Sequence, residues 1–130
     1  MKFAKIVFRV AGLWGLAVLT PLYFLFDLVG RQYPPAITHP DFYYGFVGVG
    51  LAWQVAFLAI ASDPIRFRPM MLPAMLEKFI FVISLGALYA QRRLQGGQLM
   101  VAVPDMALGI LFVAAFLKTP TRVMTEPSNT

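Results

Sequence analysis

No cysteine occurs in this chain, and histidine occurs once. The missing thiols exclude a disulfide framework, thiolate metal sites and thiol redox chemistry. The lone histidine, His39, stands beside Asp41 in a proline-rich stretch, with no second ligand at a recognisable spacing for a metal. A loop cap or turn is its ordinary role. Charge is scarce too: 13% of the residues are charged, against about a quarter in a soluble domain. No nucleophile motif or zinc helix is present, and no glycine loop that would cradle a phosphate. Gly45-x-x-Gly48-x-Gly50 lies inside an apolar run, and the apolar runs hold no histidine for haem. Nothing here calls for a cofactor.

What is present is apolar. Hydrophobic residues make up 59% of the 130 positions, more than the polar surface of a soluble fold of this size can cover. A bilayer removes that difficulty. The length allows one domain. The net charge of +5 is spread over short segments. Nucleic-acid binding would need a concentrated basic patch, so the balance points to membrane topology and headgroup contact.

Four runs are long enough to cross about 30 Å of hydrocarbon as helices, at about 8–28, 42–62, 70–91 and 99–117. Short alternating segments that would mark a membrane β-barrel are missing. The predicted fold is all-α, an integral membrane up-down-up-down four-helix bundle over 1–118. Residues 119–130, small, polar and proline-containing, read as a disordered cytoplasmic tail. The first run follows Lys2, Lys5 and Arg9, but no small-x-small cleavage site succeeds it, so it reads as a retained span. Counting loop Lys and Arg sets Lys2, Lys5, Arg9, Arg66, Arg68, Lys118 and Arg122 against Arg31, Arg92 and Arg93. Seven against three predicts both termini in the cytoplasm. Tyr33, Tyr43, Tyr44 and Tyr89 would then lie near the outer interface. Tyr33-Pro34-Pro35 and His39-Pro40 would stiffen the first outer loop.

Gly45, Gly48, Ala52, Ala56 and Ala59 recur at three- and four-residue steps, a small-residue face suited to close helix approach. Packing inside the bundle is the reading favoured for it over an oligomer interface. Gly12 and Gly15 make a shorter version.

The ionisable residues inside the runs are the candidates for function, because a charge at membrane depth usually has a partner and often a task. Glu77 and Lys78 interrupt the third run. Ser84, seven residues beyond Glu77, shares its helix face. Lys78 points about 100° away from Glu77, which suggests that it snorkels towards headgroups while Glu77 turns inward. Asp105 follows Pro104 in the fourth run. Either it faces the bundle, or Pro104-Asp105 marks the helix start, with the carboxylate at the positive dipole end. On straight helices Glu77 and Asp105 would differ in depth by about 10 Å, so contact would need tilt or a kink. Gln54 lies mid-run and suits a hydrogen bond between helices. Thr20, Tyr23 and Asp27 form a polar stripe on the first run.

Three groups of residues carry a resemblance. They are the run from Gly30 to Phe46 with Arg31, His39 and Asp41, the segment Asp63-Pro64-Ile65-Arg66-Phe67-Arg68-Pro69, and the pair of motifs Leu76-Glu77-Lys78 and Asp105-Met106-Ala107-Leu108-Gly109. Together they resemble a group of small, uncharacterised bacterial four-helix inner-membrane proteins over nearly the whole chain. The layout is also similar, more loosely, to DoxX-like four-helix proteins. The resemblance implies a bacterial inner-membrane protein and transfers no catalytic role.

Three functions fit. The first is a non-enzymatic membrane protein that holds a small apolar or amphipathic molecule, or a lipid, in an intrabundle polar pocket. Its candidate lining residues are Glu77, Asp105, Gln54, Ser84, Tyr23, Asp27 and Lys78, with Arg31, His39 and Asp41 in the outer loop. The second is a small proton-coupled transporter acting as a homodimer. The third is an accessory subunit of a larger membrane complex. Catalysis needs a positioned nucleophile, base or metal, and scattered carboxyls do not supply one.

Overall fold

The computed structural model describes residues 2–32 and 36–121. The Tyr33-Pro34-Pro35 segment and the tail from 122 onwards, both named above, lie outside the described residues. Among the described residues every regular element is helical. Four stretches, Lys2–Phe24, Pro40–Ser62, Arg68–Ala90 and Gly96–Lys118, are long and apolar enough to cross a membrane, each with 23 residues. At 1.5 Å per residue that is about 35 Å.

The first stretch is helix α1 (Lys2–Leu19), tightened at its end into a 3₁₀ segment, Thr20–Phe24. Pro21 causes the change, since it has no N–H for an α-helical bond. The carbonyl of Leu22, which also accepts the Leu25 N–H at 3.3 Å, accepts the Tyr43 hydroxyl at 2.6 Å. Leu25 leaves helical geometry, and a short helix α2 (Phe26–Gln32) follows. The sequence suggested one run to residue 28; the helix instead begins at Lys2 and changes character at Thr20. That break ends the continuous periodicity on which the Thr20-Tyr23-Asp27 stripe depended.

Helix α3 (Pro40–Ser62) starts on a proline, whose missing N–H costs nothing at a first helical position. A turn held by Asp63 follows. Its carboxylate accepts the Arg66 N–H at 3.3 Å, and its carbonyl accepts that of Phe67 at 3.1 Å. Helix α4 (Met71–Ala90) ends in a Schellman motif: the Arg93 N–H reaches the Leu88 carbonyl at 2.8 Å, and the Arg92 N–H that of Tyr89 at 3.0 Å. Arg92 takes the left-handed position with φ 60°. Helix α5 (Gly96–Leu99) is opened by a reciprocal cap between Gln95 and Gln98, and helix α6 (Ala102–Lys118) continues it after a turn. Pro104 stands third in α6, where an N–H would have no helical partner.

Helix α1 is central, packing against α3 on one side and α6 on the other, and α6 packs against α4; α3 and α4 touch only sparsely. Partner numbers fall as α1 numbers rise: Gly12 lies against Leu58, Gly15 against Gln54 and Leu19 against Gly50. The same order holds between the third and fourth stretches, where Arg68 meets Thr119 just beyond the fourth and Lys78 meets Asp105.

The core is concentrated at the end of the molecule where α1 begins. Phe8, Phe57 and Phe112 are fully buried. Phe8 stacks on Phe112 at 4.3 Å, and Phe57 meets Phe112 edge-on at 5.0 Å. Each such pair contributes about 0.5–1.5 kcal/mol beyond its area. Ala4, Ala11, Ala74 and Ala115 fill the spaces around the rings. Below the rings Arg68 joins two elements, with Nε donating to the Thr119 carbonyl at 2.8 Å and its guanidinium 3.9 Å from the Phe116 ring. A second aromatic group at the other end joins Tyr23, Phe26, Tyr43 and Tyr44, with centroids 5.0–5.9 Å apart.

The small-residue face of α3 does not pack inside. Gly45, Ala52 and Ala59 are exposed, and Gly48 and Ala56 are half-buried. They lie opposite the buried row of Val47, Gln54, Phe57 and Ala61. Close approach of α1 and α3 uses the glycines of α1 instead. The spacing of small residues identifies a smooth face, but it does not say what lies against it.

Candidate functional site

Above the phenylalanine core the molecule is hollow. A cavity of about 320 Å³ is lined by Trp14, Gly15, Val18, Leu19 and Leu22 of the first stretch, Phe46, Gly50 and Gln54 of α3, Glu77, Lys78 and Phe81 of α4, and Val101, Pro104 and Asp105 at the start of the fourth. Every stretch contributes to its wall.

The floor is polar. Lys78 is 4% exposed, although it interrupts an apolar helix. Its ammonium donates to Asp105 Oδ1 at 3.1 Å and lies 3.5 Å from Glu77 Oε2. The same nitrogen stands 5.3 Å from the centre of the Phe57 ring, so the cation rests on the negative face of the aromatic core. The snorkelling expected for Lys78 is therefore overturned: it turns inward and joins the two carboxylates.

Two features make that contact possible. The fourth stretch becomes helical at Gly96, not Leu99. Counted from the connection between α4 and α5, Asp105 then lies about 14 Å along its stretch and Lys78 about 18 Å along α4, by the rise per residue. The flexible lysine stem spans the remainder. In addition, Gly109 lets α6 approach α4, since a Cβ there would come within 3.1 Å of the Phe79 ring and 3.3 Å of Lys78 Cβ. Asp105 also occupies the first turn of α6. The two roles considered for it, bundle-facing carboxylate and dipole partner, coincide.

The hydrogen bonding is incomplete. Glu77 Oε2 is buried and makes no hydrogen bond, its contact with the Lys78 ammonium being an ion pair at 3.5 Å. Gln54 is 2% exposed. Its Nε2 donates to the Gly50 carbonyl at 2.8 Å, while its Oε1 has no donor. Gly15 makes room for that amide, because a Cβ at this position would overlap Gln54 Oε1 and Cδ. Two acceptors are thus enclosed in the packing beside the cavity without a hydrogen bond, and two carboxylates share one ammonium. A buried polar atom left unpaired costs about 1–3 kcal/mol.

A second hollow, about 700 Å³ and wide open, runs along the gap between α3 and α4. Phe42, Gly45, Phe46, Val49 and Trp53 form one side, and Pro73, Leu76, Ile80, Phe81 and Ser84 the other. Glu77, Gly50, Phe46 and Phe81 line both hollows. Phe46 and Phe81 stack at 6.2 Å where the two meet.

Of the candidate residues, Gln54, Glu77, Lys78 and Asp105 come together at the cavity. Ser84 lies on the open groove, on the face it shares with Glu77. Tyr23 belongs to the aromatic group and does not line the cavity. Asp27 and Arg31 border a separate hollow of about 560 Å³ with Phe26, Gly30, Ala36 and Ile37. His39 and Asp41 are exposed at the start of α3, where His39 packs edge-on against Phe42 at 5.5 Å. No cluster of three or more His, Cys, Asp or Glu able to hold a metal occurs among the described residues. The wall residues Gly15, Phe46 and Phe81 were not singled out from sequence as lining a site. Gly15 carried only a packing signal, and nothing distinguishes the two phenylalanines from the others in their runs.

Comparisons with protein-family models, with curated proteins and with solved structures found no match to this chain.

Proposed function

We propose that this chain is a multi-pass protein of the bacterial inner membrane that receives a small amphipathic molecule, or a lipid, in its intrabundle cavity. The four 23-residue apolar stretches support the spanning arrangement. The falling partner numbers between neighbouring helices support an up-down-up-down bundle. The lysine and arginine count supports cytoplasmic termini.

The observation that carries the functional reading is the polar floor of Gln54, Glu77, Lys78 and Asp105 in a cavity otherwise walled by apolar side chains. A few convergent polar groups in an apolar hollow are the usual form of a small-molecule site. One chain supplies the whole wall, so the site does not need the second copy that the homodimeric transporter requires.

The test is native mass spectrometry of the chain released from its membrane, compared with Glu77→Gln and Asp105→Asn. A bound mass on the parent chain that is depleted in the variants is the expected result. Identical bound species in all three would count against the cavity as the binding site. Orientation can be read separately. Because the chain has no cysteine, single cysteines placed at Arg66 and Gln95 give an unambiguous answer. An impermeant maleimide added outside should label the second and spare the first.

A further inference from the structure

Three of the four apolar stretches end on a cation at the side where α1 begins: Lys2 opens the first, Arg68 opens the third, and Lys118 closes the fourth. The opposite ends of these stretches are Phe24, Ala90 and Gly96, none of them charged. Lys5 and Arg9 follow Lys2 at steps of three and four, so the three share one exposed face of α1. Arg66 adds a further charge in the turn before Arg68. Against these six cations the same end carries one carboxylate among the described residues, Asp63, which holds the turn. None of the six has an ion-pair partner among the described residues, where both ion pairs belong to Lys78.

Three of the cations are held in place by rings. Lys118 Nζ stands 4.4 Å from the centre of Phe3, and the guanidinium carbons of Arg68 and Arg66 stand 3.9 and 5.4 Å from the centres of Phe116 and Phe67. All three rings pack on the core. Arg68 is fixed most firmly: Nε donates to the Thr119 carbonyl, and its two Nη groups make no hydrogen bond among the described residues. Exposed apolar side chains adjoin the cations directly. Ile6 and Val10 stand beside Lys5 and Arg9, Met70 follows Arg68, and Leu117 precedes Lys118.

A partner for this surface is anionic where it meets the cations and apolar next to them. Resting on the spanning arrangement proposed above but not on the cavity, we infer that this basic collar docks the phosphodiester head of an anionic phospholipid, with Arg68 as its anchor. A guanidinium with both Nη groups open takes two phosphate oxygens in parallel. The acyl chains then follow the adjoining apolar side chains into the hydrocarbon. A zwitterionic head brings its own ammonium, which the cations repel. An acidic polypeptide offers charge but no apolar part to lie along those side chains.

The experiment incorporates the full chain into nanodiscs of equal phosphatidylglycerol and phosphatidylcholine, releases it in a mild non-ionic detergent and reads the bound lipid by native mass spectrometry. Bound phosphatidylglycerol should exceed phosphatidylcholine about fivefold or more, the ratio that about 1 kcal/mol of attraction per basic residue gives. Raising the salt before release should lower the ratio, because exposed charges are screened. Arg68→Gln should lower it most. Lys5→Gln combined with Arg9→Gln changes only exposed side chains; it should lower the ratio as well, and it stands even where the Arg68 variant fails to fold. A parent ratio near one, or a ratio unchanged in both variants, would overturn the docking surface. Equal lipid binding together with capture of polyglutamate would overturn it in favour of an acidic polypeptide. A chain that does not enter nanodiscs would overturn the spanning arrangement as well. The cavity reading stands or falls on its own variants, Glu77→Gln and Asp105→Asn.

Discussion

Replacing Lys78 with methionine keeps the length and apolar stem of the side chain and removes the one cation between two carboxylates. Lys78 is almost wholly buried, while the side chains of Glu77 and Asp105 keep 24% and 23% of their exposure. Removing one partner of a buried pair costs about 3–5 kcal/mol, because the other charge is left uncompensated. The partial exposure of both carboxylates puts Lys78→Met near the lower end, about 3 kcal/mol. The second perturbation is Asp105→Asn, alone and combined with Lys78→Met. In the double variant the asparagine no longer needs the ammonium, so the two costs should not add. The coupling should be at least about 1 kcal/mol, as for residues in direct contact. The assay is loss of helical circular dichroism in mixed micelles titrated with a denaturing detergent. A Lys78→Met chain within about 0.5 kcal/mol of the parent, the range of a plain surface change, would refute the buried pair. So would simple additivity of the two substitutions.

Three further predictions concern the frame around the site. Gly15→Ala forces the Gln54 amide out of its place and breaks its bond to the Gly50 carbonyl; a loss of about 2–4 kcal/mol is expected by the same titration, from overpacking plus one hydrogen bond. Arg92→Gly should stabilise the chain by about 1 kcal/mol, since glycine takes the left-handed Schellman position without the penalty of a Cβ; a destabilised variant would contradict that geometry. Tyr43→Phe removes the hydroxyl from the Leu22 carbonyl, which lies in the 3₁₀ segment after Pro21; a cost of about 1 kcal/mol is expected, with the bound species in native spectra unchanged.

Much of the frame was legible because apolar length is a local property. The four runs are visible in the residues, and the helices fall on them with shifts of a few positions. The exceptions have local causes that were present in the sequence but not weighed. Pro21 ends the α-helical part of the first stretch, and the Gln95/Gln98 cap starts the fourth at Gly96. Helix faces were harder to read. Gly45, Ala52 and Ala59 mark a smooth row, but only the placement of α1 decides that Gly12 and Gly15 provide the close contact. Lys78 illustrates the same limit. Its direction depends on where α6 begins and on Gly109, neither of which follows from the third run. Phe46 and Phe81 could not be distinguished from other apolar residues, because their position where the two hollows meet comes from the missing contact between α3 and α4.

The central claim is that an amphipathic molecule occupies the cavity, which the groove joins at Phe46 and Phe81. The most direct test is photolabelling of the chain in membrane vesicles with a dodecanol that carries a diazirine near the end of its chain. The adducts are then located by peptide mass spectrometry. The account predicts saturable labelling on the groove and cavity walls, at Phe46, Val49, Trp53, Ile80 or Phe81, competed by unlabelled dodecanol and reduced by Glu77→Gln. Labelling spread over outward residues such as Ile6, Val10, Ile110 and Leu117, rising with probe concentration and unaffected by competitor, would contradict it.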